Sequence, residues 1–269
     1  MSHQELLTPL REAEIRAGLT TRRVGTVIHL FQDVESTNDE AAALAGRDEA
    51  DGALVIAERQ RRGRGRLGRR WESPMGLGLY VSVILRPPIP PKSAPMLTLM
   101  GSVAGAEAIE RTTGLTTALK WPNDLILHGR KVGGILGEMA VGGASLLYVI
   151  LGIGINANQT EANFAGELRE IATSLRIEAG HPLDRTAMAR LLIESLDGWY
   201  DRLLSDGPRP ILEQVRRRCL TVGRMVVARS GDEEVSGFAV ELDDLGRLVV
   251  RDATGALHHL VAGDVTLAG

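Results

Sequence analysis

Residues 58–71 crowd seven arginines among three glycines and close on Trp71, and they lie between two apolar runs, 53–57 and 79–85, that read as strands. So much charge does not enter a core, so the fold must carry this stretch as a loop held between two strands. Glycines let the backbone approach a phosphate and reach positive φ, arginines supply forked charge-assisted donors, and the indole offers a flat face to a heterocycle. The expected ligand is a nucleotide or a nucleic acid. The spacing Gly63-x-Gly65-x-x-Gly68 matches a dinucleotide fingerprint by letters, but no helix-forming run follows it, so a Rossmann unit is set aside. Arginines alone would better suit a solubilising surface loop; Gln60 before them and Trp71 after them turn the balance to a ligand loop.

With 269 residues and 44% hydrophobic content, the chain can bury one large core with a small satellite. Its net charge of -3 makes the basic loop a local site rather than a general nucleic-acid coat. Cys219 is the only cysteine, which excludes an intrachain disulfide and a cysteine zinc site and points to a reducing, cytoplasmic setting. Glu5, Arg11 and Glu12 interrupt residues 1–13, unlike a signal peptide, and no segment is long and apolar enough to span a bilayer, so no membrane partner is expected. The first 26 residues are too few for a helix-turn-helix domain, and no specific nucleic acid is expected.

A short helix precedes a strand at 27–31, and Ser36 and Asp39 have capping-box spacing at the start of a helix that stops at Gly46. After a proline-rich turn at 87–91, a buried helix is expected over 96–111, ending near Gly114. Strands at 118–121, 125–127, 131–140 and 146–156 follow, with hairpin turns at His128-Gly129-Arg130 and Gly142-Gly143-Ala144. Helices at 184–204 and 211–218 lead to short alternating runs at 225–228, 235–241, 248–252 and 258–261, broken by Gly231, Gly246 and Gly255. That pattern reads as a small antiparallel barrel, with a domain boundary near Cys219.

Lys120-Trp121-Pro122-Asn123-Asp124 alone is best read as a strand-to-turn transition, and Lys131 alone as a solvated strand end. The two segments form a hairpin that brings Asn123, Asp124 and Lys131 together, while Gly133 and Gly134 permit close backbone approach. Gly152-Ile153-Gly154-Ile155-Asn156 ends a strand on an amide suited to either a turn or an adenine edge. Ser36-Thr37-Asn38 suits a helix cap, or a helix N-terminus that donates to a polar ligand.

In this order, Glu35-Ser36-Thr37-Asn38, the loop from Gln60 to Trp71, Lys120 to Asp124, Lys131-x-x-Gly134-Ile135-Leu136 and Gly152 to Asn156 resemble the biotin protein ligase family. The resemblance covers the chain from about Val27 onward and implies an α+β fold: a mixed-sheet catalytic domain over 1–219 and a small SH3-like β-barrel over 220–269. It looks like the monofunctional type, without a DNA-binding domain. The implied activity has two steps. Biotin's carboxylate attacks the α-phosphate of ATP to give biotinyl-5′-AMP and pyrophosphate, and a lysine of a biotin carboxyl carrier protein, of acetyl-CoA carboxylase or a related carboxylase, then attacks the mixed anhydride.

By resemblance, Ser36, Thr37, Asn38, Gln60, Gly63 and Gly134 belong to the biotin site, and Arg64 and Arg66 fold over biotin and phosphates. Lys131 contacts the carboxylate and the α-phosphate, so Lys131, Arg64 and Arg66 are the implied catalytic cations. Trp71 packs on adenine, Asn156 reads its edge, Arg69 helps with the triphosphate, and Asn123 and Asp124 organise the nucleotide side. Mg²⁺ rides on ATP near Asp124 with no dedicated protein site. A monomer or homodimer is implied. Three positions depart from the family pattern: Arg61 and Arg62 ahead of Gly63, and Gly137, which is expected to loosen the pocket floor. The nearest rival is a lipoate or octanoate ligase or transferase of the same fold; a nucleic-acid-binding module and a binding-only relative are more distant.

Overall fold

The computed structural model describes residues 8–230, 233–261 and 263–267. The chain runs α1 (Glu12–Arg16), β1 (Ile28–Phe31), α2 (Thr37–Ala45), β2 (Leu54–Ala57), β3 (Gly78–Leu85), α3 (Pro95–Thr113), β4 (Ala118–Lys120), β5 (Asp124–Leu127), β6 (Arg130–Gly142) and β7 (Ser145–Asn156). There follow α4 (Leu168–Ile171), α5 (Leu175–Ala179), α6 (Arg185–Asp206), α7 (Arg209–Arg218), β8 (Met225–Ser230), β9 (Glu233–Leu242), β10 (Leu248–Arg251), β11 (Leu257–Leu260) and β12 (Asp264–Leu267). Gly231, expected as a strand break, lies outside the described residues.

The first seven strands form one mixed sheet in the order β1-β2-β3-β7-β6-β5-β4, with β1 and β2 parallel and the other neighbours antiparallel. The continuous apolar runs of β2 and β3 are buried at every position, as interior strands covered on both faces require. His128 and Gly129, both at positive φ, make the two-residue turn between β5 and β6, and Gly143 turns β6 into β7. The main core on one face gathers α3, α6 and strand residues such as Ile153 and Ile155. On the other face, Ala41 and Ala45 of α2 pack with Val55, Ile84 and Ile150. On β7 the alternation therefore turns Ile153 and Ile155 into the main core and leaves Ile150, Gly152 and Gly154 on the opposite face.

The last five strands form an antiparallel sheet in the order β11-β10-β9-β8-β12, and among the described residues no ladder joins β11 to β12. β12 is an additional strand that the sequence reading did not mark. The two sheets share one core, which includes Val226, Leu242 and Val250. Trp121 links them further: its N–H donates to Thr221 Oγ1 and its Nε1 to the Gly246 carbonyl, each at 3.0 Å.

Helix boundaries follow their local chemistry. Asp184 caps α6 by accepting from the Thr186 and Ala187 N–H groups, and α3 ends on Gly114 at φ +75. Ser36 is the backbone N-cap of α2, but its side chain makes no capping bond, and Asp39 pairs with Arg64 instead of closing a capping box. The short helices α4 and α5 fill a stretch that the sequence left unassigned.

Candidate functional site

A cleft of about 500 Å³ opens on the glycine-bearing face of β7. Ser36, Thr37, Asn38, Gln60, Arg64, Arg66, Arg69, Trp71, Asn123, Asp124, Lys131, Gly134 and Asn156 all line it; of the residues expected from sequence, Gly63 alone stands behind the wall. The reason is packing: a Cβ on Gly63 would collide with the Trp71 carbonyl and lie 2.8 Å from Ser73 Oγ, so this glycine closes the base of the arginine loop.

One end of the cleft is a polar network. The Thr37 N–H and Oγ1 donate to Gln60 Oε1 at 2.9 and 3.0 Å, and Gln60 Nε2 donates to Ser73 Oγ at 2.9 Å. Ser82 Oγ lies 2.8 Å from Thr37 Oγ1 and 2.6 Å from Asn38 Oδ1, while Asn38 Nδ2 donates to Glu138 at 2.6 Å. Asn38 fits because β7 has Gly152 opposite it; a Cβ there would overlap the Asn38 amide. Ser82 and Glu138 were not read from sequence, since each meets Asn38 only through sheet pairing.

The arginine loop is closed by its own backbone, with Gly65 N–H on the Arg69 carbonyl at 2.7 Å and Trp71 N–H on the Gly63 carbonyl at 2.9 Å. A short 3-10 turn, Arg66–Gly68, forms its tip, where Leu67 takes a left-handed φ of 56 and is exposed. Carboxylates offset the crowded cations. Glu35 takes Arg61 and Arg62 at 2.8 and 3.3 Å, which gives that unusual pair a place, and Glu72 takes Arg70 at 3.2 Å. Arg64 pairs with Asp39 and, at 2.8 Å, with Glu138. Burial disfavours its charge, but the hydrogen bonds to Asp39 and Glu138 outweigh that and hold the guanidinium above its ordinary pKa. Arg66 donates to Asn123 Oδ1 at 3.2 Å and to the Gly263 carbonyl at 3.1 Å, so the second sheet reaches the cleft.

At the middle of the cleft, Lys131 Nζ lies 2.5 Å from Asp124 Oδ1 and 5.6 Å from the centre of the Trp71 ring. The β5–β6 hairpin supplies the lysine–aspartate pair, and the absence of a side chain at Gly134 leaves room for Lys131 and for Trp71. Trp71 lies across Gly154, where a Cβ would come within 2.5 Å of Nε1, and that Nε1 is buried with no hydrogen-bond partner in the protein. Asn123 is zipped to β6: its Nδ2 donates to the Ile135 carbonyl at 2.9 Å and its carbonyl accepts from Ile135 N–H at 3.0 Å.

Asn156, expected at the adenine edge, already has both ends of its amide engaged: Nδ2 donates to the Thr173 carbonyl at 2.9 Å and Oδ1 accepts from Gln159 Nε2 at 3.1 Å. Gln159, Phe164, Leu168 and Ile171 also line the cleft and were not anticipated, because residues 157–173 show no helical or strand period. Gly137 does not touch the pocket floor. A Cβ there would point at Thr98 Oγ1 of α3, 2.7 Å away, on the reverse of the sheet. Among the described residues, no three His, Cys, Asp or Glu side chains come together as a metal site.

The cleft has three parts: a polar end, the Lys131–Asp124 ion pair in the middle, and an aromatic wall. Residues 30–156 match the family model described as the biotin/lipoate A/B protein ligase family, and residues 221–267 match that of the biotin protein ligase C terminal domain. The bifunctional ligase/repressor BirA of Bacillus spizizenii is 38% identical over 96% of this chain and 79% of its own length. The biotin--[acetyl-CoA-carboxylase] ligase of Mycobacterium tuberculosis is 33% identical over 95% of this chain and 93% of its own. A solved biotin protein ligase from Aquifex aeolicus, in complex with biotin and ATP, matches with a TM-score of 0.76 at 28% identity, covering 90% of this chain and 99% of that one. These matches define the class as that of the biotin and lipoate ligases. Within that class, the chain belongs to the biotin protein ligase family.

Proposed function

We propose that this chain is an ATP-dependent biotin protein ligase that makes biotinyl-5′-AMP and passes the biotinyl group to a lysine of a biotin carboxyl carrier protein of acetyl-CoA carboxylase or a related carboxylase. The observation that carries this reading is the position of Lys131 in one cleft with the hydrogen-bonding end at Thr37 and Gln60 and the indole of Trp71. Biotin's polar ring system is suited to Ser36, Thr37, Asn38 and Gln60, which directs its valeryl carboxylate toward Lys131. A carboxylate oxygen attacks the α-phosphorus, the bond to the pyrophosphate oxygen breaks, and Lys131 with Arg64 and Arg66 neutralises charge on the phosphate oxygens.

These cations rest on Asp124, Asp39, Glu138 and Asn123. Ligand anions would exchange for those acceptors at little cost in new buried charge. In the second step the carrier's uncharged lysine amine attacks the acyl carbon and AMP leaves. Mg²⁺ would be held mainly by the triphosphate, with Asp124 as the nearby carboxylate, and would supply charge neutralisation; a single carboxylate suits an ion that keeps most of its water. Arg69 and Asn123 serve the triphosphate side. Gly134 keeps the floor open for Lys131. We read residues 1–219 as the catalytic part and 220–269 as a buttress for the arginine loop, and place the reaction in the cytoplasm, where Cys219 stays reduced.

A lipoate or octanoate ligase would share the fold. The polar end of the cleft argues for biotin, whose ring system offers hydrogen-bonding groups to that network where an alkyl or dithiolane tail offers none. Incubation with ATP, Mg²⁺, biotin and a purified biotin carboxyl carrier domain tests the reading. The carrier is expected to gain one biotinyl mass, and a carrier with arginine at its acceptor lysine is expected to gain none; no gain in the normal carrier would contradict the proposal.

A further inference from the structure

Glu138 stands outside the lining of the cleft, yet it takes hydrogen bonds from two residues that line it. Asn38 Nδ2 donates to Glu138 Oε2 at 2.6 Å, and Arg64 Nη2 donates to Oε1 and Oε2 at 3.0 and 2.8 Å. By itself the ion pair with Arg64 would make Glu138 a holder of the loop cation. The Asn38 contact gives it a second role. An ion-paired carboxylate only accepts, so Asn38 must turn Nδ2 to Glu138 and Oδ1 to Ser82 Oγ, 2.6 Å away. Ser82 then spends its one proton on Asn38 and can only accept from Thr37 Oγ1, at 2.8 Å. The other neighbour of Thr37 Oγ1 is Gln60 Oε1 at 3.0 Å, also an acceptor, because Gln60 gives its Nε2 to Ser73. The Thr37 proton is thus spent on one of two inward acceptors, and toward the cleft its hydroxyl offers only a lone pair. Asn38 and Ser82 are buried, so water does not compete for this order.

We propose that Glu138 is a positioning residue that sets the direction of this chain of hydrogen bonds and so makes Thr37 an acceptor for a ligand N–H, which the cyclic urea of biotin supplies. The proposal rests on the ligase reading, which supplies biotin. Without the carboxylate, Asn38 is free to turn Nδ2 to Ser82, and Ser82 is free to donate to Thr37. The Thr37 proton is then no longer needed between the two hydroxyls and can meet the ligand N–H donor against donor. The Glu138 side chain is half-exposed, so Glu138→Leu removes the acceptor with little effect on folding, and Glu138→Met serves as a second variant.

The test is a double-mutant cycle between Glu138 and Ser82, read as the Kd for biotin in titration calorimetry, a quantity independent of the fraction of folded protein. Among the described residues, the hydrogen-bonded path from Glu138 to Ser82 runs through Asn38, whereas Arg64 bonds to Asp39 and Glu138. Glu138→Leu is expected to weaken biotin about tenfold, the scale of one hydrogen bond, and by about threefold or less in a Ser82→Ala background, where the chain is already cut. Equal losses in the two backgrounds would leave Glu138 as a holder of Arg64 alone and overturn the proposal, as would a Glu138→Leu variant that binds biotin like the wild type. A wild-type protein that binds no biotin overturns the ligase reading and this inference with it; the other two outcomes overturn the inference alone.

Discussion

Lys131 is a residue whose significance is legible only in pairs. Alone it reads as a strand end; with Asn123 and Asp124 seven or eight residues earlier it predicts a hairpin, and the structure closes that hairpin with a 2.5 Å contact to Asp124. Lys131→Ala is expected to slow adenylation by a factor on the order of 10² to 10³, because a preorganised cation at a developing phosphate charge is worth about that much. Folding should change little, since the pair is partly exposed. Single-turnover adenylation at saturating biotin and ATP measures it; a loss within about threefold would make Lys131 an ordinary surface lysine. The carboxylates that hold Arg64 were not legible, because Asp39 and Glu138 lie 25 and 74 residues away and meet it only when the sheet is assembled. Gln159 was missed for another reason: an amide in an aperiodic stretch carries no pattern.

The strands and long helices were visible as apolar runs and 3.6-residue periods, whereas the order of the strands and the segment from 157 to 183 were not. That segment is fastened by Glu178 of α5, which takes Arg130 at 2.7 Å, His128 at 2.5 Å and Thr173 Oγ1 at 2.5 Å and so clips α5 to the β5–β6 hairpin carrying Lys131. Burial pushes the Glu178 carboxyl up, but the bonds from Thr173, His128 and Arg130 outweigh it and hold its pKa below the usual 4.5. A carboxylate whose folded pKa is depressed stabilises the fold above its unfolded pKa, and that stabilisation is lost as pH falls through the folded value. Acidification from pH 7 to below about 4.5 is therefore expected to destabilise the wild type more than Glu178→Gln. Urea midpoints at the two pH values give the comparison; equal losses in both proteins would remove Glu178 from the acid response.

For the whole molecule, the change of pattern near Cys219 correctly marked a second sheet, but nothing in the sequence said that this sheet would share the core and reach the cleft. The joint is made by Trp121 on Thr221 and Gly246 and by Arg66 on the carbonyl of Gly263, contacts spanning 100 to 197 residues. Trp121→Phe leaves the Gly246 carbonyl without its donor and removes part of a buried ring, so a destabilisation of about 1–3 kcal/mol is expected in denaturant unfolding. A change under about 0.5 kcal/mol would mean that the joint is incidental. The cleft that this joint completes is expected to activate biotin. The direct measurement mixes the protein with ATP, Mg²⁺ and either biotin or lipoate, without carrier, and follows pyrophosphate release together with the mass of the acyl-adenylate. Biotin is expected to give biotinyl-5′-AMP and lipoate little product; no adenylate from biotin, or an adenylate formed from lipoate as fast or faster, would contradict the account.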